Sequence, residues 1–132
     1  MPRKSAIYLS QSARLVQNMV AVISLRFEDE ITTDSLIEDL NSTVSYPFDP
    51  DQVARNLQHL RRVGLISMNW HGRTLKREAA LKEYVTKNVL AGEMWASIAE
   101  DWNRINQVIT EKYGKANAEY QELLYSRQYA RV

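Results

Sequence analysis

Apolar residues recur at helical spacing along most of this chain. From about Ser12, Leu15, Val16, Met19, Val20, Val22, Ile23 and Phe27 form a stripe broad enough to predict a largely buried first helix. That helix should end near Phe27, because Glu28, Asp29 and Glu30 would sit against the negative pole of a longer one. The three acids are therefore expected in a solvated turn. Thr32 or Thr33 can cap a short second helix with Leu36, Ile37 and Leu40 inward and Glu38 and Asp39 outward. The Ser-, Thr- and Pro-containing stretch from Asn41 to Pro47 then reads as a loop.

The clearest signals lie between Phe48 and Arg77. Asp49 suits an N-cap and Pro50 the first helical position, with Phe48 placed to staple against Val53. A third helix follows, burying Val53, Leu57, Leu60 and Val63 and turning Gln52, Arg55, Asn56, His59 and Arg62 the other way. Gly64 closes it. Leu65 to Trp70 and Thr74 to Arg77 form a hairpin around His71, Gly72 and Arg73, with Trp70 expected to pack against the hairpin or core rather than stack on a base. A fourth helix is expected from about Arg77 to Leu90, where Gly92 breaks or bends it.

Beyond Gly92, Trp95, Ile98, Trp102, Ile105 and Ile109 recur at alternating spacings of three and four, and Tyr113, Ala116, Tyr120 and Leu123 continue the seam past Gly114. This seam is expected to join two copies of the chain. Packing on the chain's own first helix is the other reading.

Composition narrows the class. The chain has 132 residues, 45% hydrophobic and 25% charged, as expected of one globular domain with a helical extension. No cysteine is present, which excludes disulfides, thiolate metal sites and cysteine nucleophiles. The longest wholly apolar run, Met19 to Ile23, is too short to span a bilayer, and the start lacks a signal-peptide pattern, so a cytoplasmic protein is expected. Net charge is only +1, but its distribution is uneven. Ile31 to Ala54 holds five acids and no base, whereas Arg55 to Arg77 holds Arg55, Arg61, Arg62, Arg73, Lys76 and Arg77 and no acid. Arg3 and Lys4 make a basic arm of residues 1–11, which reads as a frayed terminus or as a contact to a phosphate backbone.

Three helices, a glycine junction and a basic hairpin resemble winged helix-turn-helix DNA-binding domains. The residues carrying the likeness are Val53, Leu57, Leu60, Val63, Gly64, Leu65 and Ile66, a pattern similar to the recognition-helix-to-wing junction of small bacterial, phage and plasmid regulators. The resemblance implies a mainly α fold with a small β-hairpin, a winged-helix domain over 12–90 and a C-terminal helical extension over 91–132. It also implies a sequence-specific regulator of transcription that binds double-stranded DNA as a homodimer. The third helix would enter the major groove through Gln52, Arg55, Asn56 and His59, while Arg62, Arg73, Lys76 and Arg77 neutralise phosphates.

The alternative is a protein-interaction module acting through the aromatic C-terminal helix. No cofactor, metal or enzymatic activity is expected, since no phosphate-binding loop, dinucleotide fingerprint or hydrolase motif occurs and His59 and His71 are too few for a zinc site.

Overall fold

The computed structural model describes residues 9–129, so the arm carrying Arg3 and Lys4 lies outside the described residues. The order is α1 (Gln11–Leu25), β1 (Glu30–Thr32), α2 (Thr33–Thr43), α3 (Pro50–Arg62), β2 (Ile66–Met68), β3 (Thr74–Arg77), α4 (Ala79–Tyr84), a π-helical segment (Val85–Leu90), α5 (Trp95–Tyr113) and α6 (Ala118–Tyr129). The protein is mainly helical, with one small antiparallel sheet.

Helix α1 begins where Ser10 Oγ accepts from the Ala13 amide. From Gln17 to Leu25 every residue is buried, including the polar Gln17, Asn18 and Ser24. A helix covered all round needs neighbours on all sides. They are α2, α5 and α6, with α5 forming the most extensive helix pairing. The C-terminus of α1 has no basic residue of its own in its last turn, so its carbonyls are met from elsewhere in the chain. Arg77 donates to the carbonyls of Ile23 and Arg26 at 2.9 Å and of Glu28 at 2.7 Å, and the Asn117 amide donates to Leu25 at 2.7 Å.

The acids after α1 do not form a plain solvated turn. Glu30 to Thr32 make the edge strand β1, and Glu28 is paired with Arg26 at 3.0 Å. Strand β3 lies in the middle of the sheet, in the order β1-β3-β2, and pairs Ile31 with Leu75 on one side and Met68 with Leu75 on the other. Burial of Ile31 and Leu75 drives this pairing. The first hairpin strand stops at Met68 instead of reaching Trp70, because the Asn69 side chain accepts from the amides of Arg73 and Thr74 and turns the chain. Gly72 completes that turn at φ +71°.

The expected fourth helix is present as α4 and the π-helical turn, which buries Val85, Val89 and Leu90. Gly92 ends it by close approach: a Cβ there would lie 2.2 Å from the Asn88 carbonyl oxygen.

The aromatic seam takes the second of its two readings. Trp95, Ile98, Trp102, Ile105 and Ile109 are all buried within the chain's own core, the two tryptophans meeting edge-on with ring centroids 6.3 Å apart. A seam spent on α1 has no surface left for a second copy, so the dimerisation role assigned to these five residues is corrected. The core runs without interruption from Leu15 to Leu124 and joins both sides of the expected 90/91 boundary. Past Gly114 the buried residues are Ala116, Tyr120 and Leu124, with Leu123 only partly covered.

Two buried carboxylates lock this arrangement. Asp39, expected to face solvent, is 1% exposed. It accepts from Arg26 at 2.8 Å, Lys112 at 2.7 Å and the Tyr113 hydroxyl at 2.9 Å, and Arg26 also lies over the Tyr113 ring. Asp101 on α5 takes a two-pronged bond from Arg14 at 2.8 Å, with Asn18 at 3.1 Å and Arg104 at 2.9 Å. Arg104 also donates to the Thr43 carbonyl that ends α2.

Removing one partner of a buried ion pair strands the other. Asp39→Asn is expected to lower the unfolding free energy in urea by about 3 kcal/mol. Burial pushes the Asp101 carboxyl upward, but hydrogen bonds from Arg14, Asn18 and Arg104 outweigh it and hold its pKa below the ordinary value. Its stabilisation is therefore complete above the unfolded pKa of about 4 and is lost as pH falls through the lower folded value. Urea titrations should show stability declining below about pH 4, and Asp101→Asn should be less stable at neutral pH with a shallower acid decline.

Candidate nucleic-acid interface

Helix α3 is set by its ends. Asp49 accepts from the Gln52 amide at 2.9 Å while the Gln52 side-chain oxygen accepts from the Asp49 amide at 2.8 Å, a reciprocal cap with Pro50 just inside. At the far end Gly64 adopts φ +84°, and the Leu65 amide returns to the Leu60 carbonyl at 3.0 Å. Val53, Leu57 and Leu60 are buried, whereas Val63, expected inward, is exposed where the helix closes. The opposite strip, at spacings of four, three and four, is Asp51, Arg55, Gln58 and Arg62.

The sequence-predicted residues fall into two groups. Arg55, His59, Arg62, Arg73 and Lys76 are exposed, and among the described residues none of their side chains is held in a hydrogen bond or ion pair. Three others are engaged inside the fold. Gln52 has its amide oxygen in the cap, and Asn56 is half-buried against α1, its Nδ2 3.6 Å from Met19 Sδ. Arg77 holds the end of α1 by donating to three carbonyls, which corrects its assignment as a phosphate contact. Burial lowers the Arg77 pKa, and the nearby Tyr120, Asp29 and Glu28 only partly offset it.

The hairpin tip lies beside α3. A cleft of about 300 Å³ between them is lined by Gln58 and Arg61 of the helix and by Met68 to Gly72 of the tip. Gln58 and Arg61 are not among the residues expected from sequence, although Gln58 sits three after Arg55 and four before Arg62. Arg61 donates to Gln58 Oε1 at 2.8 Å through Nη2 and at 3.1 Å through Nε. Trp70, expected to pack inward, is instead 88% exposed and rests against His71 at a tilt of 35°, with centroids 3.5 Å apart.

The charge of this face is graded. Its acids are Asp51 in the first turn of α3 and Glu30, which pairs across the sheet with Lys76 and accepts from Thr74. Asp49 is occupied as the cap. The positive part is thus the second half of α3 with Arg73 and Lys76 of the hairpin. Such a surface can bind anions and planar groups. Among the described residues no cluster of His, Asp and Glu is placed to hold a metal ion.

No protein-family model, curated protein or solved structure matches the chain. Function is therefore read from this geometry.

Arg77→Ala should lower stability in thermal or urea melts by about 2 kcal/mol, since it leaves helix-end carbonyls without a charged donor. Arg73→Ala and Lys76→Ala should each change stability by less than about 0.5 kcal/mol, being exposed and unpaired.

Proposed function

We propose that this protein binds double-stranded DNA as a small regulator built on a winged helix-turn-helix, with α3 as the helix that enters the major groove. One observation carries the proposal. The order α1-β1-α2-α3-β2-β3, with β3 central, supports a winged-helix reading, and the unpaired cations of α3 and of the hairpin lie beside one another in it. Arg55 faces base edges, where a guanidinium pairs best with guanine, and His59 is a second base-edge donor or acceptor. Arg62, Arg73 and Lys76 meet phosphates and fix the register. Asp51 keeps phosphates away from the first turn, so DNA is engaged from Arg55 onward.

The competing interaction-module reading relied on an aromatic face of the C-terminal helix. Trp95 and Trp102 are buried, so that face is not available to a partner.

Fluorescence anisotropy with random duplex DNA across a salt series tests the proposal. Wild type should bind at low salt with affinity falling steeply as salt rises. Arg55→Glu/Arg73→Glu/Lys76→Glu should weaken binding more than about tenfold and reduce the salt slope by about three, roughly one for each cation removed from the interface. Absence of wild-type binding at low salt would contradict the proposal, and a triple variant that binds like wild type would place the interface elsewhere.

A further inference from the structure

Trp70 is the most exposed of the large hydrophobic residues described, and it lies on the turn between β2 and β3. Its neighbours do not let it fold away. Asn69 Oδ1 accepts from the amides of Arg73 at 2.9 Å and Thr74 at 3.2 Å, the Gly72 amide returns to the Asn69 carbonyl at 2.9 Å, and the Asn69 amide donates to the Thr74 carbonyl at 3.1 Å. This is a closed turn. The indole lies against the His71 ring, centroids 3.5 Å apart and planes tilted by 35°, which leaves its outer face open to solvent. Around it stand Arg73 on the turn itself and Arg61 with Gln58 across the cleft, and residues 69–73 contain no acid.

Exposed indole on a rigid turn is unfavourable in water and gains most by stacking on another flat apolar surface. The flanking cations select a polyanion as the carrier of that surface. Nucleobases on a phosphate backbone meet both requirements, and aromatic or apolar side chains wedged between base steps are an established way to bend a duplex.

Resting on the DNA-binding reading above, we propose that Trp70 is a stacking wedge: it enters the duplex beside the α3 site and unstacks one base step, with Arg73 and Arg61 neutralising the phosphates on either side. The bound duplex is then locally distorted, and sequences with easily unstacked pyrimidine–purine steps at that position bind best.

The test uses the full chain and a short duplex that it selects from a random library, with the fluorescent base 2-aminopurine placed in turn at each adenine. Saturating wild type should raise the emission at one or two adjacent positions. Trp70→Ala should weaken binding about tenfold, the scale of one base–aromatic stack, and abolish the rise. Trp70→Phe should keep part of both. Arg55→Ala should weaken binding yet retain the rise at saturation. Circular dichroism should show every variant folded, since Trp70 and Arg55 lie outside the core.

A Trp70→Ala protein with wild-type affinity and an unchanged rise would overturn the wedge while leaving duplex binding intact. So would a bound wild type that brightens no position. Preference for the single-stranded oligonucleotide would overturn the duplex assignment, and failure of wild type to bind either form would remove the underlying reading as well.

Discussion

A helix buried around its whole circumference must be covered from every direction, and α1 is such a helix between Gln17 and Leu25. The rest of the chain is arranged by that requirement. Helix α2 covers one side, and α5 with α6 covers others, so the aromatic seam from Trp95 to Ile109 becomes core. Had that seam stayed at the surface, α1 would have kept an uncovered apolar side. The cost is that this apolar helix is no longer free to pair with another chain. The polar face of α3 and the tip of the hairpin stay outside this packing.

The two carboxylates inside this core are tied off, whereas Gln17 Oε1, Ser24 Oγ, Trp102 Nε1 and Thr110 Oγ1 are buried without a hydrogen-bond partner. Asp39 gathers Arg26 from the end of α1 and Lys112 and Tyr113 from α5, so one carboxylate fixes three elements. Asp101 does the same from α5 toward Arg14 and Asn18, and Asn18 passes the network on by accepting from the Tyr46 hydroxyl at 2.6 Å. Buried pairs of this kind specify register more than they add stability, because desolvation offsets most of their attraction. The ends of α1 and α2 are closed by the same logic, with Arg77 and Arg104 reaching carbonyls that have no local partner. Each of these arginines comes from a segment far along the chain.

These long-range interactions explain what the sequence could and could not disclose. Local signals suffice where local physics decides: Thr32 caps α2, Asp49 and Pro50 start α3, and Gly64 and Gly114 adopt the left-handed conformation that ends α3 and α5. Strand β1 is invisible to periodicity because three residues are too few to show alternation, and its existence depends on β3, to which Glu30 is joined only through Lys76 and its neighbours. Asp39 looks like a surface acid on an amphipathic helix, since nothing nearby announces Lys112. Arg77 looks like one more cation in a basic block. Trp70 departs from its expected place because alternation with Ile66 and Met68 ends one residue earlier, where Asn69 turns the chain. In the candidate site, Arg55, His59, Arg62, Arg73 and Lys76 are legible from helical spacing and charge, whereas Gln52 is claimed by its own cap and Asn56 and Arg77 by partners on α1 and beyond.

The DNA-binding proposal joins these strands. Among the described residues, the cations with no hydrogen bond, ion pair or ring contact lie on α3 and its neighbouring hairpin, and the acidic first turn limits the strip to the second half of α3. Backbone amide chemical-shift mapping by NMR, with duplex DNA added to the labelled protein, tests this most directly. The account predicts perturbations confined to residues 55–62 and 69–76, with α5 and the π-helical turn unmoved. Shifts centred on α5, α6 or the π-helical turn, or none at saturating DNA, would contradict it.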